Sequence, residues 1–375
     1  MSTPETVTRS RTRQAIIDAA ITVLASDPGA SLADIAAAAG VTNDRYAKGV
    51  AWGDYDGDRW PDLYVSNLHG KNRLYHNRGD CTFEDVAAQA GVEGPDDSFA
   101  TWFWDFDDDG HLDLWVGAYT LAGAPDHLAY VAASHTGDPH PAAVSRLYRG
   151  DGQGRFTDVA PAMGLAAATL PMGAGFGDVD QDGWQDVYLG TGAPELDTLV
   201  PNKLYRNVAG QRFEDVTVAA GVGHLQKGHG VVFADLDDDG DQDLWEQMGG
   251  FFENDAFFNA LYENPGFGGH WIDVELRGRR SNRFGVGAHL FVEADGHTRH
   301  RVVGFGSSFG SRPLRENIGL GSATRITRLI VWWPATDERQ LFTDVPVDAH
   351  LRIVESDDTL IRLARPATPL ATGPR

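Results

Sequence analysis

One acidic phrase recurs four times, and its spacing constrains the fold of this chain more than any other feature. The copies are Asp54-Tyr55-Asp56-Gly57-Asp58, Asp105-Phe106-Asp107-Asp108-Asp109, Asp178-Val179-Asp180-Gln181-Asp182 and Asp235-Leu236-Asp237-Asp238-Asp239, completed four residues later by Asp62, Asp113, Asp186 and Asp243. Carboxylates at positions 1, 3, 5 and 9 of a tight loop form a cage for a hard cation. Oxygen donors without His or Cys favour Ca2+ over zinc or copper. These sixteen aspartates are the candidate metal ligands, for about four Ca2+ ions. Gly110, Gly183 and Gly240 stand at position 6, where a sharp turn suits a left-handed backbone. Arg59 breaks that rule in the first copy, so the first loop is expected to bind most weakly.

The phrase resembles an EF-hand loop but lacks its Glu at position 12, and a strand pattern follows it: Leu63-Tyr64-Val65, Leu114-Trp115-Val116, Val187-Tyr188-Leu189 and Leu244-Trp245. A second phrase alternates with the first, pairing Leu74-Tyr75 with Phe83-Glu84-Asp85-Val86, Leu147-Tyr148 with Phe156-Thr157-Asp158-Val159, and Leu204-Tyr205 with Phe213-Glu214-Asp215-Val216. The turns between them carry Gly and Asp, which reads as a hairpin. Each phrase ends in Gly-Val or Gly-Leu (Val92, Leu165, Val222), at a constant distance from the next acidic loop. One unit therefore holds a strand into the loop, a strand out of it and a hairpin. Four-stranded units that cannot bury their faces alone predict propeller blades. Length varies in one connection per unit, hence on one face; the longest insert runs from Ala118 to Val144. It is expected either to line a ligand site or to cover an apolar mouth.

With 375 residues and 42% hydrophobic content, the chain can hold two or three domains. A formal charge of −23 argues against nucleic acid as the main partner. Much of that charge sits in the four loops, so folding and metal binding should be coupled. The single cysteine, Cys81, gives no intramolecular disulfide and no compartment signal. No stretch is long and apolar enough for a membrane span. The run from Ala15 to Ala25 mimics a short signal peptide, but Asp18 and the lack of a cleavage site argue against one, leaving a cytoplasmic default.

Gly49-Val50-Ala51-Trp52-Gly53-Asp54 with Pro61-Asp62-Leu63-Tyr64-Val65 resembles the FG-GAP (VCBS-type) calcium-loop repeats of β-propellers. Downstream, Gly269-His270-Trp271, Arg279 through Ala288, Gly306-Ser307-Ser308-Phe309, Ile318-Gly319-Leu320-Gly321 and Val331-Trp332-Trp333-Pro334 resemble the ASPIC/UnbV domain, and the pairing is similar to the cartilage-acidic-protein-like family. The resemblance implies calcium-stabilised blades, often in extracellular proteins, with a small β-rich C-terminal domain. It implies little about activity, although some members sit in natural-product pathways. The expected fold is all-β: a propeller of four FG-GAP-like units in four or five blades, a small β-rich C-terminal domain and a short helical N-terminus. The expected divisions are 1–30 (helical fragment), 31–268 (repeats), 269–356 (ASPIC/UnbV-like) and 357–375 (tail).

Residues from Thr12 to Ala20 and from Ser31 to Val41 look like the start of a TetR-type helix-turn-helix, with Ser31 as N-cap. The recognition helix that would read DNA is missing, because Thr42–Tyr46 lead straight to Asp54. Leu32-Ala33-Asp34-Ile35 also matches the propeller phrase in register, so 31–41 reads as helix or as outer strand, and the register favours use by the propeller.

Catalytic signals are weak. Gly306-Ser307-Ser308-Phe309-Gly310 fits a nucleophile-elbow pattern without the strand-turn-helix context that it needs. His297 and His300 lie on an alternating strand with no third ligand nearby, which reads as surface. Arg-Gly-Asp at Arg78 and Arg149-Gly150-Asp151 falls where the repeat wants a hairpin turn. Trp102, Trp104, Trp115, Trp184 and Trp245 flank the loops and read as blade packing. No catalytic residue is assigned. The leading function is a calcium-dependent module that binds a protein, glycan or small molecule. The alternative is a biosynthetic cyclase or hydrolase with its pocket under the insert, and a DNA-binding fusion stands third.

Overall fold

The computed structural model describes residues 23–370, apart from 28, 120–126, 196–197, 251, 254 and 308. Each acidic repeat folds as an up-and-down antiparallel sheet, hereafter a blade. Blade 1 is β1 (Tyr46–Gly53), β2 (Asp62–Leu68), β3 (Arg73–Asn77) and β4 (Phe83–Asp85). Blade 2 is β5 (Ser98–Trp104), β6 (Asp113–Ala118), β7 (Arg146–Gly150) and β8 (Phe156–Asp158). Blade 3 is β9 (Pro171–Gly177), β10 (Asp186–Thr191), β11 (Lys203–Val208) and β12 (Arg212–Asp215). Blade 4 has three strands among the described residues, β13 (Gly228–Ala234), β14 (Asp243–Met248) and β15 (Ala260–Tyr262).

The blades stack face against face in chain order. Leu74 and Tyr64 of blade 1 bury against Leu114 and Phe103 of blade 2, and Trp102 and Trp115 of blade 2 bury against Phe176 and Val187 of blade 3. Tyr188 and Leu204 of blade 3 close on Phe233 and Leu244 of blade 4. The inner strands β1, β5, β9 and β13 neighbour one another in that order. This is the all-β, blade-by-blade architecture expected from the repeat. Trp102 and Trp115 are fully buried with rings stacked 5.4 Å apart, so these tryptophans pack blades together.

A short helix that the repeat phrase did not reveal follows the outer strand of three blades: α2 (Ala87–Ala90), α4 (Ala160–Met163) and α5 (Thr217–Ala220). Each ends on a left-handed glycine, Gly91, Gly164 or Gly221. The helix before blade 1, α1 (Leu32–Ala39), ends likewise on Gly40 and starts from a Ser31/Asp34 capping box. Segment 31–41 is therefore helical and also in propeller register: Val41 packs on the cluster of Val65, Tyr75 and Phe83. The helix-turn-helix resemblance at Thr12–Ala20 lies outside the described residues.

Within the insert, α3 (His127–Thr136) sets Val131 into an apolar cluster with Leu68, Phe99, Tyr119, Leu170 and Val200. Leu68 ends β2 and Phe99 is second in β5, so this cluster lies at the strand ends opposite the acidic loops. The helix covers an apolar mouth.

The C-terminal domain packs two four-stranded sheets over one core. One sheet is β19 (Arg315–Gly321), β16 (His270–Arg277), β22 (Ala349–Val354) and β23 (Ile361–Leu363), in that order. The other is β18 (His297–Val302), β17 (His289–Ala294), β20 (Ile326–Trp333) and β21 (Glu338–Val345). Alternation along these strands buries Ile272, Val274, Leu290, Val292, Leu329 and Val331 between the sheets.

Candidate metal centre

Each acidic loop joins the inner strand of a blade to the next strand, and its carboxylates fold it. The position 1 aspartate accepts the backbone N–H of position 6: Asp54 from Arg59 at 2.9 Å, Asp105 from Gly110 at 2.8 Å, Asp178 from Gly183 at 2.9 Å and Asp235 from Gly240 at 3.2 Å. The position 5 aspartates Asp58, Asp109, Asp182 and Asp239 accept the N–H two residues on. The position 9 aspartates Asp62, Asp113, Asp186 and Asp243 are buried, and each spans two backbone N–H groups. One is at position 2 of its own loop and the other lies on or just beyond the third strand, from Asn77, Gly150, Asn207 or Asn264. Position 9 thus staples the loop to the blade.

Asn207 and Asn264 do more, donating their side-chain amides to Phe106 O and Val179 O of the preceding loop. The sequence reading passed over these residues. Their signal was present in Leu-Tyr-x-Asn at Asn77, Asn207 and Asn264.

Positions 1, 3 and 5 or 9 converge as a site needs. Ligand-capable oxygens lie within 4.8 Å of one another in Asp54/Asp56/Asp58, in Asp105/Asp107/Asp113 and in Asp178/Asp180/Asp186. His76 joins Asp56 and Asp62 in a further group, and His350 joins Asp235 and Asp238. Each loop also leaves one buried carboxylate oxygen without a hydrogen-bond partner: Asp54 Oδ1, Asp107 Oδ1, Asp180 Oδ1 and Asp241 Oδ1. Asp241, at position 7 of the fourth loop, was not among the expected ligands.

Burial, and then the neighbouring carboxylates, push Asp54 up to about 7 and Asp178 to about 7, and raise Asp113 and Asp186 well above the carboxylate range. Burial followed by Asp239 and Asp243 lifts Asp241 to about 8. Crowded, desolvated carboxylates with unused oxygens are the donor set of a hard cation. The residues present fit one.

Two of the four loops hold a guanidinium at position 3, through Arg149 on Asp107 and Arg206 on Asp180, and His76 faces Asp56 in the first. The fourth has Glu263 at the same register, so no guanidinium or imidazole stands at that position for Asp237. Strain is shared more evenly than the position 6 glycines suggested. Positions 4 and 6 are both left-handed, and each loop places one glycine at the pair: Gly57 beside Arg59 (φ 77) in the first, and Gly110, Gly183 and Gly240 beside Asp108, Gln181 and Asp238 in the others. Arg59 uses its conformation to reach Pro334 O at 3.0 Å and Asp337 at 3.1 Å.

That contact belongs to a general arrangement: the C-terminal domain lies on the acidic-loop face. His300 meets Asp105 at 2.6 Å, while Arg301 and His297 bind Asp108 at 2.7 and 2.9 Å. Gly319 donates its N–H to Asp178, Arg301 binds Gly183 O, and Arg315 binds Asp238 and Asp235 O. A Cβ at Gly183 would meet Arg299 and one at Gly240 would meet Trp271, so these glycines also admit the domain. His300, expected at the surface, is buried because this face covers it, and it pairs with His289 at 2.8 Å. Strand alternation could not show that, since the covering partner is about two hundred residues away in sequence. Ser308 lies outside the described residues.

The FG-GAP-like repeat family matches residues 54–116 and 127–189, and the ASPIC and UnbV family matches residues 278–360. Cartilage acidic protein 1 of Homo sapiens is 27% identical over 81% of this chain and 43% of its own length. That of Mus musculus is 27% identical over 74% of this chain and 40% of its own. The chain therefore spans less than half the length of these relatives. Among solved structures, AofleA from Arthrobotrys oligospora aligns over 86% of this chain and 88% of that one at 9% identity, with a TM-score of 0.29, too low to bear on the fold. The chain belongs to the FG-GAP-like repeat proteins that carry a C-terminal ASPIC and UnbV domain.

Proposed function

We propose that this chain is a non-catalytic binding module whose acidic loops hold Ca2+. The ligands would be Asp54, Asp56, Asp58 and Asp62 in the first loop, with the corresponding four aspartates in each of the others and Asp241 in the fourth. The observation that carries this reading is the buried, unpartnered carboxylate oxygen in every loop. A bound cation would take up these free oxygens and lower the raised proton affinities of Asp54 and Asp241. The position 4 carboxylates Asp108 and Asp238 already have Arg301 and Arg315, so the two kinds of cation divide the work.

Ions held there would fix the surface on which the C-terminal domain rests, and the partner would be a protein, glycan or small molecule met elsewhere. The relatives' name places them in cartilage, which favours a calcium-replete extracellular setting over the cytoplasmic default. Extracellular calcium modules bind at roughly 10⁻⁴ to 10⁻³ M. Thermal melting in 2 mM-range calcium against excess EDTA tests the reading. A lower melting temperature in EDTA, restored by calcium and not by magnesium, is expected; identical curves would defeat it.

A further inference from the structure

Among the described residues the stack of blades has two bare ends, and each shows what an internal junction covers. At a junction, the forward face of one blade offers an aromatic residue on its second strand and a leucine on its third. Tyr64, Trp115 and Tyr188 are all 0% exposed, and Leu74, Leu147 and Leu204 are 0%, 0% and 4% exposed. The same leucine in blade 4 is Leu261, and it is 47% exposed. The rear face of each following blade offers an aromatic residue on the inner strand, as in Tyr64 against Phe103 with centroids 6.5 Å apart. Phe176 and Phe233 fill this place at 4% and 1% exposure. Blade 1 carries Trp52 there, paired to Leu63 as Phe233 is to Leu244, and it is 43% exposed beside Val50 at 49%.

The outer rim repeats the message. Trailing helices end over the outer strand of the next blade: a Cβ at Gly91 or Gly164 would lie 3.7 or 3.0 Å from Phe156 O or Phe213 O. Gly40 at the end of α1 stands in this relation to Phe83 O of blade 1, at 2.4 Å, although no preceding blade exists among the described residues. At the other end, Gly221 meets nothing within 4 Å, and β15 has no outer partner strand among the described residues. Among the described residues, one end carries a helix without its blade, and the other a blade without its successor.

We propose that the occupant of each end is a second copy of this chain, with blade 4 of one copy packed on blade 1 of the other, so that two arcs close one ring. The junction would continue the internal ones, setting Trp245 and Leu261 against Trp52 and Val50. Such a contact is heterologous, and it gives a closed assembly only if the rotation returns after two copies. Eight blades lie within the range that propellers adopt. This inference rests on the blade packing and is independent of the calcium reading.

The test is the solution mass of the whole chain by light scattering, in calcium buffer, for wild type, Trp52→Glu and Leu261→Arg. Both side chains are about half exposed, so both variants should keep wild-type circular dichroism. Wild type should run as a dimer, each variant should associate at least tenfold more weakly, and an equimolar mixture should regain pairs through its one intact junction. A wild-type monomer overturns the proposal, including one in which residues 1–22 shield Trp52 in cis. So does a Leu261→Arg dimer, which would mean a symmetric contact through blade 1 alone, or an open polymer longer than two copies.

Discussion

Glu246→Gln should stabilise this protein above neutral pH and change it by less than about 1 kcal/mol near pH 5. Glu246 occupies the strand position that holds Val65, Val116 and Leu189 in the other blades, and it is fully buried. Asn202 donates to it at 2.7 Å, and it lies 3.0 Å from the Tyr188 hydroxyl. That hydroxyl has a single proton, which Val222 O accepts at 2.8 Å, just as Tyr64 donates to Val92 O in blade 1. The chain of hydrogen bonds closes only if Glu246 is protonated and donates to Tyr188. Burial accordingly pushes its carboxyl up from 4.5 to about 8, against the opposing hydrogen bond from Asn202.

The sign follows from linkage. Between pH 4.5 and about 8 the folded state keeps a proton that the unfolded state has released, so stability falls as pH rises through that window and is level above it. At 1.36 kcal/mol per unit, the loss approaches an upper bound of about 5 kcal/mol. Gln reproduces the protonated shape and cannot ionise. Urea denaturation of both proteins from pH 5 to 9, in saturating calcium so that the loop carboxylates cancel, should give stabilities within about 1 kcal/mol of each other at pH 5 that diverge by several kcal/mol at pH 8.5. A Glu246→Gln protein less stable than wild type at pH 8.5 would refute the reasoning.

Two further substitutions separate loop strain from domain docking. Gly240→Ala adds a Cβ 1.9 Å from the Trp271 ring at φ +104, whereas Gly110→Ala meets nothing within 4 Å at φ +90. The second should cost only the backbone term, about 1–3 kcal/mol, and the first clearly more; equal losses in urea would show that Trp271 does not rest on the loop. Arg301→Met leaves Asp108 buried with His297 and the His300 backbone N–H but without its guanidinium, at an expected cost of about 3–5 kcal/mol. Calorimetry should then resolve separate melting of the blades and the C-terminal domain, and a single unshifted transition would contradict that docking role.

The repeat made much of the fold legible. Spacing of the acidic phrase from Gly-Val located the strands, and Leu-Tyr at Leu74, Leu147 and Leu204 located the hairpins of the first three blades. The trailing helices escaped notice because Ala87–Ala90 and Ala160–Met163 are too short for a periodic signal. The candidate ligands were readable because the loop is local: four aspartates within nine residues. What surrounds them was not. Arg301, Arg315, His300 and Trp271 approach from a domain remote in sequence, and nothing in a local pattern reports a contact between distant segments. Position 9 carried a double meaning, since Asp62 and its counterparts bind two backbone N–H groups each, a role that spacing alone does not separate from ion ligation.

The central claim is that the acidic loops hold calcium beneath the C-terminal domain. Long-wavelength anomalous diffraction from crystals grown in calcium tests it most directly. The expected result is a peak in each of the four loops, beside Asp54 Oδ1, Asp107 Oδ1, Asp180 Oδ1 and Asp241 Oδ1. Loops without anomalous density at saturating calcium would contradict it.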